Sequence, residues 1–159
     1  MTEDYGIGAV LLGLVCTSVT KAEYSWHLIF DGGSVSLNLE CPWRLLVNGA
    51  IAYGAEDHGQ KFGLPAPVDG VEETGRILAN SPVTEIKVTT GSGDLGLTFE
   101  NGAKLEVFNS SGGYEGWTLS GNGALGFLVV AQGGGRLEVF DDGATRSKSG
   151  LSSRYVGSA

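Results

Sequence analysis

Alternation of apolar residues with polar or small ones is the sequence feature that most limits how this chain can fold. In the segment DLGLTFENGAKLEVF, residues 94–108, the alternation runs up to Asn101-Gly102 and resumes after it. A period of two is that of a β-strand with one buried face. Asn-Gly between two such runs favours a tight turn, because both residues tolerate positive φ. The segment therefore predicts an antiparallel hairpin.

Two further segments repeat this plan. Residues 25–39 alternate on both sides of an Asp-Gly-Gly triplet, and residues 125–140 alternate on both sides of a glycine-rich turn. The tetrapeptide LEVF ends this last segment, as it ends the segment 94–108. Successive strand residues point to opposite faces. In each copy we therefore expect Leu and Val to face the core and Glu106 or Glu138 to face outward.

A helix is expected ahead of two of these hairpins, at residues 5–14 and 69–80. In the second helix, Asp69 is suited to the N-cap position, and an acidic first turn containing Glu72 complements the helix dipole. Pro82 then enforces the end of the helix.

The order of these elements predicts an internal duplication. A shift of 69 residues superimposes the strand that begins at Trp26 on the strand that begins at Leu95. Each half then consists of a helix, a strand and a hairpin, which gives pseudo-repeats at residues 5–54 and 69–141. Chance alternation is the alternative explanation.

Further strands are expected at residues 43–53 and around 117–119. The whole pattern predicts a β-rich α+β fold, with nine or ten mostly antiparallel strands and two helices. The strands would form a curved sheet, a sandwich or an open barrel. Residues 1–141 are expected to form one domain, and the Gly/Ser-rich residues 142–159 a flexible tail.

The net charge narrows the choice of partners. The chain has 18 acidic and 10 basic residues, which gives a formal net charge of −8. Nucleic acid is not expected as a partner, since its binding depends on clustered Lys and Arg. A basic protein partner is compatible with this field, although acidity that serves only solubility is the alternative. A homodimer through sheet edges or faces is also compatible, but no specific residue points to it.

The apolar run at residues 7–16 ends in Cys16, as a lipoprotein signal would, but acidic residues precede it where such a signal carries Lys or Arg. The run is also too short to span a bilayer. We therefore expect it to belong to the fold of a cytoplasmic protein without membrane association. Cys16 and Cys41 do not form a metal-binding or disulfide pattern and are expected to pack as small apolar residues.

The densest group of ionisable residues is Glu56-Asp57-His58. Such a group can hold a metal or perform acid–base catalysis, but adjacent residues rarely converge on one ion, and Asp57 can instead fix its own loop. Nothing in the sequence predicts a catalytic residue, a metal site or a cofactor: no serine lies in a nucleophile elbow, and the glycine clusters precede strands rather than helices.

The hexapeptide GGYEGW offers a surface for binding, because Tyr114 and Trp117 provide contact area and Glu115 can seat an Arg or Lys. The structural alternative is that Trp117 covers the sheet and Glu115 fixes a turn. In the matching segment CPWRLL, Trp43 precedes Arg44, which we expect to pair with an acid such as Asp57 or Glu115.

These motifs together resemble small uncharacterised bacterial proteins of the domain-of-unknown-function type. The resemblance rests on WRL at residues 43–45, Asp57, the segment 94–108 and YEGWTLSG at residues 114–121. Some such proteins are encoded near polymorphic toxin systems and are regarded as candidate immunity proteins. The resemblance implies a compact, β-rich binding protein and carries no catalytic residues.

We therefore expect a non-catalytic binding protein, of the immunity or antitoxin type, that inhibits a basic protein partner. Its surface would contain Glu106, Glu138 and the aromatic cluster at 114–117. The alternative is a small-ligand or enzymatic pocket around Asp57 and His58, with walls formed by the aromatic residues of the strand at 43–53.

Overall fold

The computed structural model describes residues 5–122 and 126–141, which form two helices and eleven strands. The predicted tail at 142–159 lies outside the described residues. The elements are α1 (Ile7–Leu11), β1 (Cys16–Lys21), β2 (Trp26–Phe30), β3 (Val35–Leu39), β4 (Trp43–Val47), β5 (Ala50–Gly54), α2 (Gly70–Leu78), β6 (Val83–Val88), β7 (Leu95–Phe99), β8 (Lys104–Val107), β9 (Trp117–Gly121), β10 (Phe127–Ala131) and β11 (Leu137–Asp141).

The strands form two antiparallel sheets that enclose one core. Sheet I has the order β1-β2-β3-β9-β10-β11, and sheet II has the order β5-β4-β8-β7-β6. The predicted β-rich α+β class is confirmed, in the form of a sandwich. None of the described helices has the length and apolar character needed to cross a membrane.

Eleven strands replace the nine or ten expected, because the single strand predicted at residues 43–53 is a hairpin. Asn48 and Gly49 both adopt positive φ, at 53° and 80°, and turn β4 back on itself as β5. Two successive residues with positive φ form the two-residue turn whose twist matches the twist of the two strands that it joins. The prediction was wrong here although the Asn-Gly signal is present in the sequence.

Alternate residues of the central strands fill the core, as the period of two predicts. Leu28 and Leu37 in sheet I, and Leu97 and Leu105 in sheet II, have no exposed surface. Each such side chain contributes about 1.5–3 kcal/mol to folding through the apolar area that it removes from water. Glu106, between two buried residues of β8, faces the outside of sheet II.

Each half of the chain contributes strands to both sheets. The first half builds β1–β3 in sheet I and then crosses to sheet II as β4–β5; the second half builds β6–β8 in sheet II and crosses to sheet I as β9–β11. Pairing is reciprocal at the two seams between halves. Leu39 lies opposite Trp117 between β3 and β9, and Val107 lies opposite Trp43 between β8 and β4.

Each helix packs against a strand from the other half of the chain: α1 against β6, and α2 against β1. Asp69 caps α2 as expected, and its carboxylate accepts the Glu72 N–H at 3.0 Å. Helix α1 is shorter than the predicted range 5–14. Gly13 adopts a φ of 85°, which ends the helix, and the Gly13 N–H bonds to the Val83 carbonyl of β6 instead.

Candidate binding groove

A groove of about 540 Å³ opens at one end of the sandwich. Three connections form its walls: residues 22–25 between β1 and β2, residues 40–42 between β3 and β4, and the start of the loop that follows β5. Its volume lies within the ~300–1,000 Å³ of ordinary ligand sites. We call it the acidic groove, because its lining includes three glutamates, Glu23, Glu40 and Glu56.

The Trp26 and His58 rings line the acidic groove and form its aromatic floor, and Trp43 lies behind Trp26 without lining it. The Trp26 ring lies edge-on to Trp43, with centroids 4.9 Å apart, and edge-on to the His58 ring, with centroids 5.8 Å apart. The Lys21 ammonium lies 5.7 Å from the centre of the Trp26 ring and donates to the Ala22 carbonyl at 3.0 Å. This lysine is therefore engaged by an aromatic face and a backbone oxygen.

His58 joins the groove to the start of α2. Its Nδ1 atom accepts the Gly70 backbone N–H at 3.1 Å, so the proton of the neutral ring lies on Nε2. A Cβ atom placed on Gly70 would lie 3.1 Å from the Trp26 ring and 3.7 Å from the His58 Cβ. The wall is tightly packed, and the first N–H of α2 is already used, so this helix end is not free to hold an anion.

Asp57 shapes the loop rather than the floor of the groove. Its carboxylate accepts the Gly54 N–H at 2.8 Å, and the Gly54 carbonyl accepts the Asp57 N–H at 3.1 Å. This is the local backbone bonding that short acidic side chains favour in turns. Of the predicted cluster, Glu56 and His58 line the groove, whereas Asp57 supports them.

The Cys41 thiol also lines the groove. Burial, followed by the negative charges of Asp94 and Glu40, raises the pKa of Cys41 to about 12. The nucleophilic form of cysteine is the thiolate. At neutral pH this side chain is therefore a neutral thiol, and the groove presents a weak hydrogen-bond donor at this position.

The rim of the groove is open to cations. Glu23, Glu40 and Glu56 are exposed and form no ion pair with any described residue. Tyr24 lies beside them with 83% of its surface exposed. Carboxylates close to exposed aromatic surface suit a guanidinium or ammonium group.

The predicted binding cluster at residues 114–117 is divided. Tyr114 and Glu115 are exposed, but Trp117 is 1% exposed, and its Nε1–H donates to the Gly93 carbonyl at 2.8 Å. The structural alternative is thus confirmed for Trp117, which belongs to the core between the sheets. Glu115 precedes Gly116, whose carbonyl accepts the Glu40 N–H, so it lies close to the acidic groove.

The other predicted contacts also lie elsewhere. Arg44 pairs with Glu106, at 2.6 Å between Nε and Oε1, and not with Asp57 or Glu115. The reason is the register of β4 and β8, which places Arg44 directly opposite Glu106. Glu138 accepts a hydrogen bond from Gln132. Because β8 belongs to sheet II and β11 to sheet I, Glu106 and Glu138 lie on opposite outer faces and cannot form one surface.

The sequence prediction missed several residues that line the groove, among them Glu23, Tyr24, Trp26 and Glu40. The segment 22–26 reads as a short turn followed by a strand, and the alternation of β2 assigns Trp26 to the core. The only local signal is an exposed turn with an acid beside a tyrosine. Among residues 5–122 and 126–141, no three His, Cys, Asp or Glu side chains are grouped so that they could hold a metal ion.

The chain belongs to a family of unknown function (DUF6188), whose profile matches residues 18–141. This range includes every wall of the acidic groove. No curated protein and no solved structure matches the chain.

Proposed function

We propose that this member of the DUF6188 family is a non-catalytic binding protein whose acidic groove holds a basic segment of a partner protein. The observation that carries the proposal is the set of three carboxylates, Glu23, Glu40 and Glu56, around an aromatic floor, none of them paired with a described cation. A partner's Arg or Lys would supply the missing charge. Tyr24 would add contact area at low entropy cost.

Occlusion is the mechanism that such a groove supports. A few anchors in the groove would provide most of the affinity, while the net charge of −8 would raise the association rate. This is how an immunity-type inhibitor would cover the functional surface of a basic toxin. The protein needs no reactive group for that work, and the protonated Cys41 thiol is consistent with it.

The test compares two triple variants with the same charge change. Glu23→Gln, Glu40→Gln and Glu56→Gln remove the groove carboxylates; Glu72→Gln, Glu85→Gln and Glu100→Gln remove three exposed carboxylates elsewhere. Each variant and the parent protein are immobilised and exposed to extract of the native host. We expect a basic protein to be retained by the parent and the control variant and lost by the groove variant. Equal retention by both variants would overturn the proposal.

A small-molecule site is the second candidate, favoured by the volume of the groove and by the His58 ring beside Trp26. In that case the ligand would be a compact cation, and substitution of the groove glutamates by Gln would weaken its binding. Titration with arginine methyl ester, followed by Trp fluorescence, separates the two. Saturable binding at micromolar concentration would favour the small molecule, since one exposed carboxylate–cation pair is worth only about 0–1 kcal/mol.

A further inference from the structure

The two halves of the chain close the same end of the sandwich differently. Residues 22–25 join β1 to β2, whereas residues 89–94 join β6 to β7 and are two residues longer. Residues 40–42 lead from β3 to β4, whereas residues 108–116 lead from β8 to β9 and are six residues longer. The acidic groove lies in the half with the shorter connections.

In the second half, the longer turn at 89–94 is bound by the rest of the protein. The Trp117 Nε1–H donates to the Gly93 carbonyl at 2.8 Å. The Asn109 side chain donates to the Ser92 carbonyl at 3.1 Å, and the Asn109 backbone N–H donates to the Asp94 carboxylate at 2.9 Å. A glycine-rich turn is thus held by an indole, an amide and a backbone group.

The same turn is packed without space for side chains. A Cβ atom on Gly135 would lie 1.9 Å from the Gly91 carbonyl oxygen, and one on Gly93 would lie 3.0 Å from the Leu137 side chain. Asn109 also donates to the Gln132 carbonyl at 3.0 Å, which ties the turn to the connection between β10 and β11. Glycine is required where backbones approach this closely.

The counterparts of these groups in the first half lie in the groove or next to it: Cys41 lines the groove, and Trp43 packs against Trp26, which lines it. The reciprocal pairing of the seams makes Trp43 the counterpart of Trp117. Cys41 follows β3 by two residues, as Asn109 follows β8 by two. The backbone agrees, because Glu40 donates to the Gly116 carbonyl at 2.7 Å, and its counterpart, Phe108, donates to the Pro42 carbonyl at 2.8 Å.

One of these counterparts lacks its partner. Trp43 is 3% exposed, and its Nε1–H has no hydrogen-bond acceptor among the described residues. A buried donor without an acceptor costs about 1–3 kcal/mol. In the second half the acceptor for the equivalent indole is a carbonyl of the glycine-rich turn. The first half therefore retains the indole donor for such a turn, with the Cys41 thiol in place of the Asn109 amide, but has only the shorter connection 22–25 where the turn would lie.

We propose that the acidic groove binds a glycine-containing turn of the partner protein, held as the turn 89–94 is held in the second half. A carbonyl of the bound turn would accept the Trp43 Nε1–H, and a basic side chain beside it would lie among the groove glutamates. Because Trp43 Nε1 is buried in the free protein and does not line the groove, the groove wall in front of it must shift for this contact to form. The inference rests on the proposed function for the basic side chain, but not for the turn.

A loop exchange tests, without any partner, whether the first half can hold a turn like that at residues 89–94. Residues 22–25 are replaced by Thr-Thr-Gly-Ser-Gly-Asp, the sequence of residues 89–94. We expect the Trp43 indole proton to shift downfield and the melting temperature to rise, because the groove is then filled from within. The control carries Glu23→Thr and Tyr24→Thr at the original loop length and should leave the indole signal in place. A folded exchange variant with an unchanged Trp43 indole signal would overturn the inference.

A peptide titration tests the ligand and does not depend on the exchange variant folding. The probe is a disulfide-cyclised peptide with a Gly-Arg-Ser-Gly turn; the comparisons replace both glycines by Ala, or the arginine by Glu. We expect shifts of the Trp26 and Trp43 indole signals, with at least tenfold weaker binding for the Ala peptide. Equal binding of the Ala peptide would reject the turn and leave the proposed function standing. Equal binding of the Glu peptide would reject the basic partner and leave the turn standing.

Discussion

The Nδ1 atom of His58 accepts the backbone N–H of Gly70 at 3.1 Å, and this bond fixes the wall of the acidic groove to the first residue of α2. Helix α2 in turn packs on β1, the edge strand of sheet I. The groove is therefore built on a helix and a strand edge, and changes at the start of α2 act on the floor of the groove.

Gly70→Ala should destabilise the protein and disturb the groove. The added methyl group would lie 3.1 Å from the Trp26 ring, and crowding of this kind costs about 1–3 kcal/mol. Gly75→Ala in the same helix is the matched control, since nothing lies within 4 Å of its Cβ position. That change should stabilise the helix by about 0.5–1 kcal/mol. Denaturant unfolding gives both values, and equal effects would contradict the packing described at Gly70.

Trp117→Phe should cost more stability than Trp43→Phe. Both changes remove part of a buried indole, but only the first breaks a hydrogen bond and strands the Gly93 carbonyl. Losing the partner of a buried polar group costs about 1–3 kcal/mol, which sets the expected difference between the two variants. Urea unfolding of both proteins measures it. A larger loss for Trp43→Phe would mean that its indole proton has an acceptor in solution.

The Arg44–Glu106 pair should contribute little to stability. The side chains are 42% and 31% exposed, and partly exposed pairs of this kind contribute about 0.2–1 kcal/mol. A double-mutant cycle with Arg44→Ala and Glu106→Ala measures the coupling free energy. The coupling should be smaller in roughly 1 M salt, because dissolved ions screen exposed charges. A coupling that is insensitive to salt would argue against an ion pair at this site.

Alkaline pH should weaken the fold through its two thiols. Burial raises the pKa of Cys16 to about 11 and that of Cys41 to about 12, from the ordinary thiol value of 9.0. The folded state therefore keeps these protons while the unfolded state releases them. Stability from this source is complete below pH 9 and falls as the pH rises towards 11–12. The variant with Cys16→Ala and Cys41→Ala should show a shallower decline in the free energy of unfolding across that range.

Local patterns predicted the elements that depend on near neighbours. The hairpin at Asn101-Gly102, the Asp69 cap and the inward Leu and Val of LEVF all follow from turn chemistry, capping and a period of two. The Asn48-Gly49 hairpin carried the same signal, but the residues on both sides of it, 45–47 and 50–53, are all apolar. Without alternation with polar residues on either side of the turn, the segment was interpreted as a single strand.

The groove itself could not be predicted from local patterns. Trp26 and Leu95 occupy equivalent strand positions and are equally buried, so neither sequence marks an open site. What distinguishes them is the length of the connections above them, and that matters only once strands distant in the sequence are paired. Tertiary packing likewise determines that β4 joins sheet II and β9 joins sheet I. These positions bury Trp117 between the sheets and place Arg44 opposite Glu106.

The exchange of strands between the sheets has a consequence for how the molecule opens. Neither half of the chain forms a complete sheet by itself. Separation of β9 from β3 would expose an edge of the first half and remove the strands of the second half that pair with it. We therefore expect local opening at either seam to cost as much free energy as global unfolding. Amide protons of Leu37 and Leu105, next to the two seams, should exchange with solvent only through global unfolding, at one common free energy. The two halves of the chain should therefore unfold together, because the boundary between the halves does not coincide with the boundary between the sheets.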